Sequence, residues 1–181
     1  MAKNQVFFET NNLFTKFQNS FLNSGATGII DPLSPLFIVK TGTGTSTVQN
    51  VASVLQIAIT ANTASHVVEA KLASALDADT LKIAVKSNTQ YTMKCKIRCT
   101  ATAAPTGSTI RLVEVNAAGA QVGTVNSPTV LVTALQEFTE TVLTFTTGAL
   151  TAYLSPIFSV NGGATGTQTT QFRDFEIFET I

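Results

Sequence analysis

The ten residues Tyr91–Thr100, YTMKCKIRCT, alternate without a break. Tyr91, Met93, Cys95, Ile97 and Cys99 fall on one side of an extended chain, and Thr92, Lys94, Lys96, Arg98 and Thr100 on the other. A period of two places side chains on opposite faces only in a strand, so this stretch has a dry side and a wet side, as in a half-buried antiparallel sheet. The period recurs in VLQIAIT (Val54–Thr60), TLKIAVKS (Thr80–Ser87), STIRLVEVN (Ser108–Asn116), TVLVTAL (Thr129–Leu135), FTETVLTFT (Phe138–Thr146), AYLSPIFSV (Ala152–Val160) and TQFRDFEIFETI (Thr170–Ile181). Turn-forming SNTQ (Ser87–Gln90) and NAAG (Asn116–Gly119) separate neighbours. Short strands punctuated this way predict an all-β sandwich or barrel. HVVEAKLA (His66–Ala73) suits a strand or a helix, but no long helical pattern alternates with the strands, which argues against a parallel α/β sheet.

Charge limits the partners. Charged residues make up 12% of the 181-residue chain and the formal net charge is zero. A chain of this length suits one domain, and it has no overall field to gather nucleic acid or an anionic membrane. Threonine, β-branched and polar, suits its half-wet strands. No window reaches the ~18 apolar residues of a membrane-spanning helix, and the opening MAKNQVFFETNNLFTKF lacks the apolar run of a signal peptide. The expectation is synthesis in a cytosol.

Cys95 and Cys99 are four residues apart, about 13 Å along a strand. A disulfide needs Cα atoms within ~7 Å, so the pair reads as two buried, reduced thiols. The single histidine, His66, is distant from both, and no metal or cofactor motif is present. TGTGTST (Thr41–Thr47) reads as a flexible loop rather than a phosphate loop, since no lysine follows its second glycine.

Residues 1–40 differ from the remainder. Six of the twelve phenylalanines lie there: Phe7, Phe8, Phe14, Phe17, Phe21 and Phe37. Leu13, Phe14, Phe17 and Phe21 share one face of a short helix, and DPLSP (Asp31–Pro35) interrupts regular structure after it. The reading is an N-terminal arm over 1–40 and a β-sandwich over 41–181. The arm either caps its own core or docks on a partner through Phe7, Phe8, Leu13, Phe14, Phe17 and Phe21.

No catalytic constellation assembles. The acids are scattered, Asp77 and Asp79 flank a turn, and His66 lacks a serine–acid pattern. The expectation is a non-enzyme. Lys94, Lys96 and Arg98 recur every ~6.6 Å along their strand. Without interleaved aromatics they read first as a solvated face, then as a protein contact, and last as a nucleic-acid or sugar site. Tyr91 falls on the apolar side of its strand, which leaves Tyr153 as the ring to contact a ligand.

The order SNTQYTMKCKIRC, STIRLVEVNAAGAQV, LQEFTETVLTFTT, AYLSPIFSV, FRDFEIFE, over roughly residues 80–180, resembles the jelly-roll carbohydrate-binding modules. LQEF (Leu135–Phe138) stands where that pattern has a tryptophan. The resemblance implies an antiparallel jelly-roll sandwich, and it places Asp174 where such modules often hold a structural calcium, with no second ligand evident. Similar jelly rolls occur on tailed-phage virions. The resemblance therefore implies a virion protein, a capsid decoration (cement) protein docked on the major capsid protein or other virion subunits through its aromatic arm. It would be a homo-oligomer, a trimer among the plausible forms. The alternative it implies is a glycan-binding module of a tail fibre or cell-surface protein.

Overall fold

The computed structural model describes residues 28–29, 37–51, 54–62, 66–71, 82–101, 107–128, 137–162 and 166–180. They form two antiparallel sheets. One contains β1 (Gly28–Ile29), β2 (Phe37–Thr41), β5 (Val67–Lys71), β11 (Tyr153–Asn161), β8 (Gly107–Val115) and β9 (Gln121–Asn126) in that order, with the short β6 (Ile83–Ala84) also paired to β11. The other runs β10 (Thr139–Thr146), β7 (Gln90–Ala101), β12 (Gln168–Glu179), β4 (Val54–Asn62), β3 (Gly44–Val51). From β7 onward the chain passes repeatedly between the sheets, which is the connectivity of a jelly roll. The all-β sandwich read from the period-two pattern is the observed fold. Its pairing begins upstream of residue 41, at β1 and β2. Phe7, Phe8, Leu13, Phe14, Phe17 and Phe21, with the helix expected there, lie outside the described residues.

The core lies between the inner faces. Tyr91, Met93, Cys95 and Ile97 from β7 meet Ile110, Leu112, Phe158 and Val160 from the opposite sheet in one buried cluster. Phe158 stands at its centre, edge-on to Phe172 and Phe175 at 5.3 Å from each ring. Such aromatic contacts add to the area they remove from water. Both cysteines are buried and unpaired.

Two local readings change. Thr41–Thr47 is mostly strand rather than loop: Thr41 ends β2 in one sheet, Gly44 starts β3 in the other, and Gly42 makes the turn between the sheets with φ 81°. His66 bridges the two strands at that turn. It is buried, its Nδ1–H donates to the Thr41 carbonyl at 3.0 Å, and Nε2 lies within hydrogen-bond distance of Ser46 Oγ at 3.0 Å. His66–Ala73, open between strand and helix in the sequence, contributes strand β5.

The last strand breaks strict alternation. Arg173 pairs with Lys96 and Glu176 with Lys94, so β12 spends one more residue than β7 over that interval. Asp174 is the extra residue, at φ 51°. A bulge of this kind lets Phe172 and Phe175, an odd number of residues apart, both enter the core.

Candidate functional site

The outer face of the five-stranded sheet collects the polar side chains that the alternating strands turn away from the core. Cross-strand register sets the composition of each row. Gln49 of β3 pairs with Gln56 of β4, Gln56 with Gln171 of β12, and Gln171 with Arg98 of β7. The row ends on Phe138, whose ring centroid lies 4.6 Å from the Arg98 guanidinium carbon. At ~4.8 Å per strand, the three glutamines and the arginine span about 14 Å.

The row is internally ordered. Arg98 Nε donates to Gln171 Oε1 at 2.8 Å, and an Arg98 terminal nitrogen donates to the same oxygen. That fixes the amide of Gln171, whose Nε2 donates to Gln56 Oε1 at 2.7 Å. Gln56 is thereby turned with its NH₂ group away from Gln171. Amide groups held in one orientation offer paired donors and acceptors to a ligand with little further ordering cost. Beside the row, Arg98, Thr100, Thr169 and Gln171 line a pocket of about 290 Å³. This lies near the lower end of the ~300–1,000 Å³ typical of small-ligand sites.

The basic residues of β7 all project onto this face, and each has a distinct setting. Lys96 Nζ bonds Asp174 Oδ2 at 2.9 Å. Lys94 lies over the Phe178 ring at 5.4 Å and opposite Glu176. Arg98 and Arg173 both lie over Phe138, at 4.6 and 3.9 Å. Along the chain Phe138 and Phe178 are far from β7, so the sequence alone shows these cations without aromatics; pairing of β10 and β12 with β7 brings the rings beside them. A cation over a ring contributes roughly 0.5–1 kcal/mol at exposed sites, which offsets part of the roughly 2 kcal/mol of rotamer entropy of each long side chain. The carboxylate of Asp174 is engaged by Lys96 at 2.9 Å and approached by Arg173 at 3.7 Å. No cluster of three or more His, Cys, Asp or Glu suited to a metal ion occurs among the described residues.

Tyr153 lies elsewhere, on the outer face of the other sheet. It is half-buried against Val113, Val115 and Ile157, with Lys82 Nζ 5.6 Å from its ring centroid. That face also carries Glu69, bonded to Arg111 and to Lys71 at 3.1 Å. The ring that borders the ordered amide row is Phe138; Phe178 lies further along β12, over Lys94, and Tyr153 is on the other sheet. Tyr91 is a core residue, and its hydroxyl accepts a hydrogen bond from the Lys86 backbone N–H at 2.8 Å.

No family model matches the chain, and no curated protein matches its sequence. Solved structures do. The enzymatically active domain of tailspike protein 4 from bacteriophage CBA120 superposes with a TM-score of 0.54 at 13% identity, over 90% of this chain and 22% of the tailspike chain. An arabinose-bound α-L-arabinofuranosidase superposes with a TM-score of 0.54 at 15% identity, over 94% of this chain and 27% of that one. The N-terminal cellulose-binding domain of Cellulomonas fimi β-1,4-glucanase C also matches, with a TM-score of 0.47 and 18% identity, over 90% of this chain and 97% of its own. This chain thus spans about a quarter or less of the tailspike and arabinofuranosidase chains. The similarity is one of fold, an antiparallel jelly-roll sandwich.

Proposed function

We propose that this chain is a carbohydrate-binding module of a phage tail or other surface-exposed assembly, and that it binds glycan across the outer face of the five-stranded sheet. The carrying observation is the ordered row Gln56–Gln171–Arg98, ending on the Phe138 ring. Sugars present hydroxyl groups around a ring edge and C–H groups on a ring face; oriented amides suit the first and aromatic rings the second. The tailspike match supports a place in a phage tail. The capsid-decoration reading draws on the aromatic segment 1–24, and it predicts that deleting this segment abolishes attachment to capsids while the sandwich still folds.

The glycan reading is tested with the full chain on a glycan array, followed by titration calorimetry on the best ligand. Phe138→Ala and Gln171→Ala are expected to weaken binding at least about tenfold, a loss of ~1.4 kcal/mol, with an unchanged far-ultraviolet spectrum. Tyr153→Ala, on the opposite sheet, is expected to bind as the parent. Absence of any glycan ligand, or equal binding by the Phe138 and Gln171 variants, refutes the assignment.

A further inference from the structure

Among the described residues the two sheets end on four strands, β1 and β9 in one and β3 and β10 in the other. β1 is two residues long. The other two besides β10 carry register shifts, between Thr45 and Ser46 in β3 and opposite Glu114 and Val115 in β9. Shortness and bulges keep an edge from pairing with another chain. β10 has neither. Its eight residues, TETVLTFT, pair with β7 in unbroken register, include no proline or lysine, and are rich in β-branched threonine and valine.

The outer side of β10 is open. Glu140, Val142, Thr144 and Thr146 are all exposed, Val142 to 47%. Lys94 and Lys96 of β7 are half-buried, as befits a strand with a neighbour on each side. Leu143, on the inner side of β10, packs against the core cluster yet is only partly buried. A regular edge with an apolar middle and exposed side chains is a template for strand addition.

We propose that the strand added is β10 of a second copy of this chain, paired antiparallel about a two-fold axis through Val142. Such a contact is self-complementary, as an isologous interface requires. Val142 meets Val142 on the outer face. Thr141 meets Leu143 on the inner face and covers the part of Leu143 that its own core leaves open. Glu140, the one charged residue of the strand, faces Thr144 and stands about 14 Å along the strand from its copy. Parallel pairing in register would set Glu140 against Glu140, which is unfavourable. A strand pair of this length falls in the class below ~1,200 Å² that holds reversible complexes, so the association depends on concentration. The axis is normal to the sheet, so the outer faces of both copies look the same way. Phe138 lies four residues from Val142, which sets the two amide rows roughly 27 Å apart on one surface. That last consequence rests on the glycan reading above; the pairing does not.

The experiment is sedimentation equilibrium of the full chain from about 1 μM to 1 mM. The expected result is a monomer–dimer equilibrium. Val142→Lys, at an exposed position, is expected to weaken it at least tenfold with an unchanged far-ultraviolet spectrum, because a lysine on an edge opposes pairing. Under mild oxidation Val142→Cys is expected to cross-link two copies, since a residue facing itself across the axis brings its Cα atoms within ~5.5 Å. Thr144→Cys, which faces Glu140, is expected to remain uncross-linked. A monomer throughout the range, a trimer, or a dimer indifferent to Val142→Lys overturns the edge pairing. Cross-linking of Thr144→Cys as readily as of Val142→Cys overturns the two-fold register.

Discussion

Gly123→Ala is a small change with a calculable conflict. Gly123 sits in β9 directly opposite Glu114 of β8. A Cβ built there would stand 2.6 Å from Glu114 Oε2 and 3.2 Å from its Cδ. Glu114 is buried on the inner side of its sheet, where Oε2 accepts from Thr151 Oγ1 at 3.0 Å and from the Gly148 N–H at 3.4 Å. To admit the methyl group, the carboxylate must leave Thr151. A hydrogen bond to a charged group contributes about 1.5–3 kcal/mol. Against this, replacing glycine in a strand interior gains roughly 0.5–1 kcal/mol of backbone entropy. The expected net loss is about 1–2 kcal/mol, which at ~2–4 °C per kcal/mol for a chain of this size lowers the melting point by about 2–8 °C. In a Glu114→Ala background the obstruction is gone, so the same substitution is expected to stabilise by about 0.5–1 kcal/mol. Urea unfolding of the four proteins, followed by circular dichroism, measures the cycle. An effect of Gly123→Ala with the same sign and size in both backgrounds refutes the reasoning.

Two further outcomes follow from the titratable groups. Burial pushes the Cys95 and Cys99 thiols upward, so neither is expected to react with a disulfide reagent at pH 8 until the protein unfolds; rapid labelling of the native protein would contradict their placement. Glu179, bonded to Lys86 Nζ at 2.8 Å, raises the lysine above its ordinary value of 10.5. A raised folded value means that the contribution is fully present below pH 10.5 and is lost as pH climbs through the higher folded value. The melting-point gap between the parent and Lys86→Met is therefore expected to be constant up to about pH 10 and to close above it.

The parts of the fold legible in the sequence were those that depend on one strand at a time. The two faces of Tyr91–Thr100 follow from its own residues, and the buried set Tyr91, Met93, Cys95, Ile97 and Cys99 is the one its alternation gives. The site needed pairings between strands. Gln49, Gln56, Gln171 and Arg98 are ordinary polar residues until register aligns them, and register depends on sheet order. Phe138 reads in the sequence as the start of a strand and the end of LQEF, and nothing local announces that it will lie over Arg98 and Arg173. The bulge at Asp174 did leave a trace, in the odd spacing of Phe172 and Phe175 combined with a residue type that tolerates a left-handed backbone. The strand ends within TGTGTST are hidden by its glycines, which lower strand propensity while still permitting strand pairing beside the turn that joins the two sheets.

Asp174 has an evolutionary consequence. Because Arg173 already faces Lys96 and Glu176 already faces Lys94, losing the single codon between Arg173 and Phe175 would restore a regular ladder with every core side chain still pointing inward. What would vanish is the anion that now offsets Lys96 and approaches Arg173. One in-frame deletion, or its reversal, thus offers a lineage a way to make this face more or less cationic while the hydrophobic phase of the strand stays unchanged.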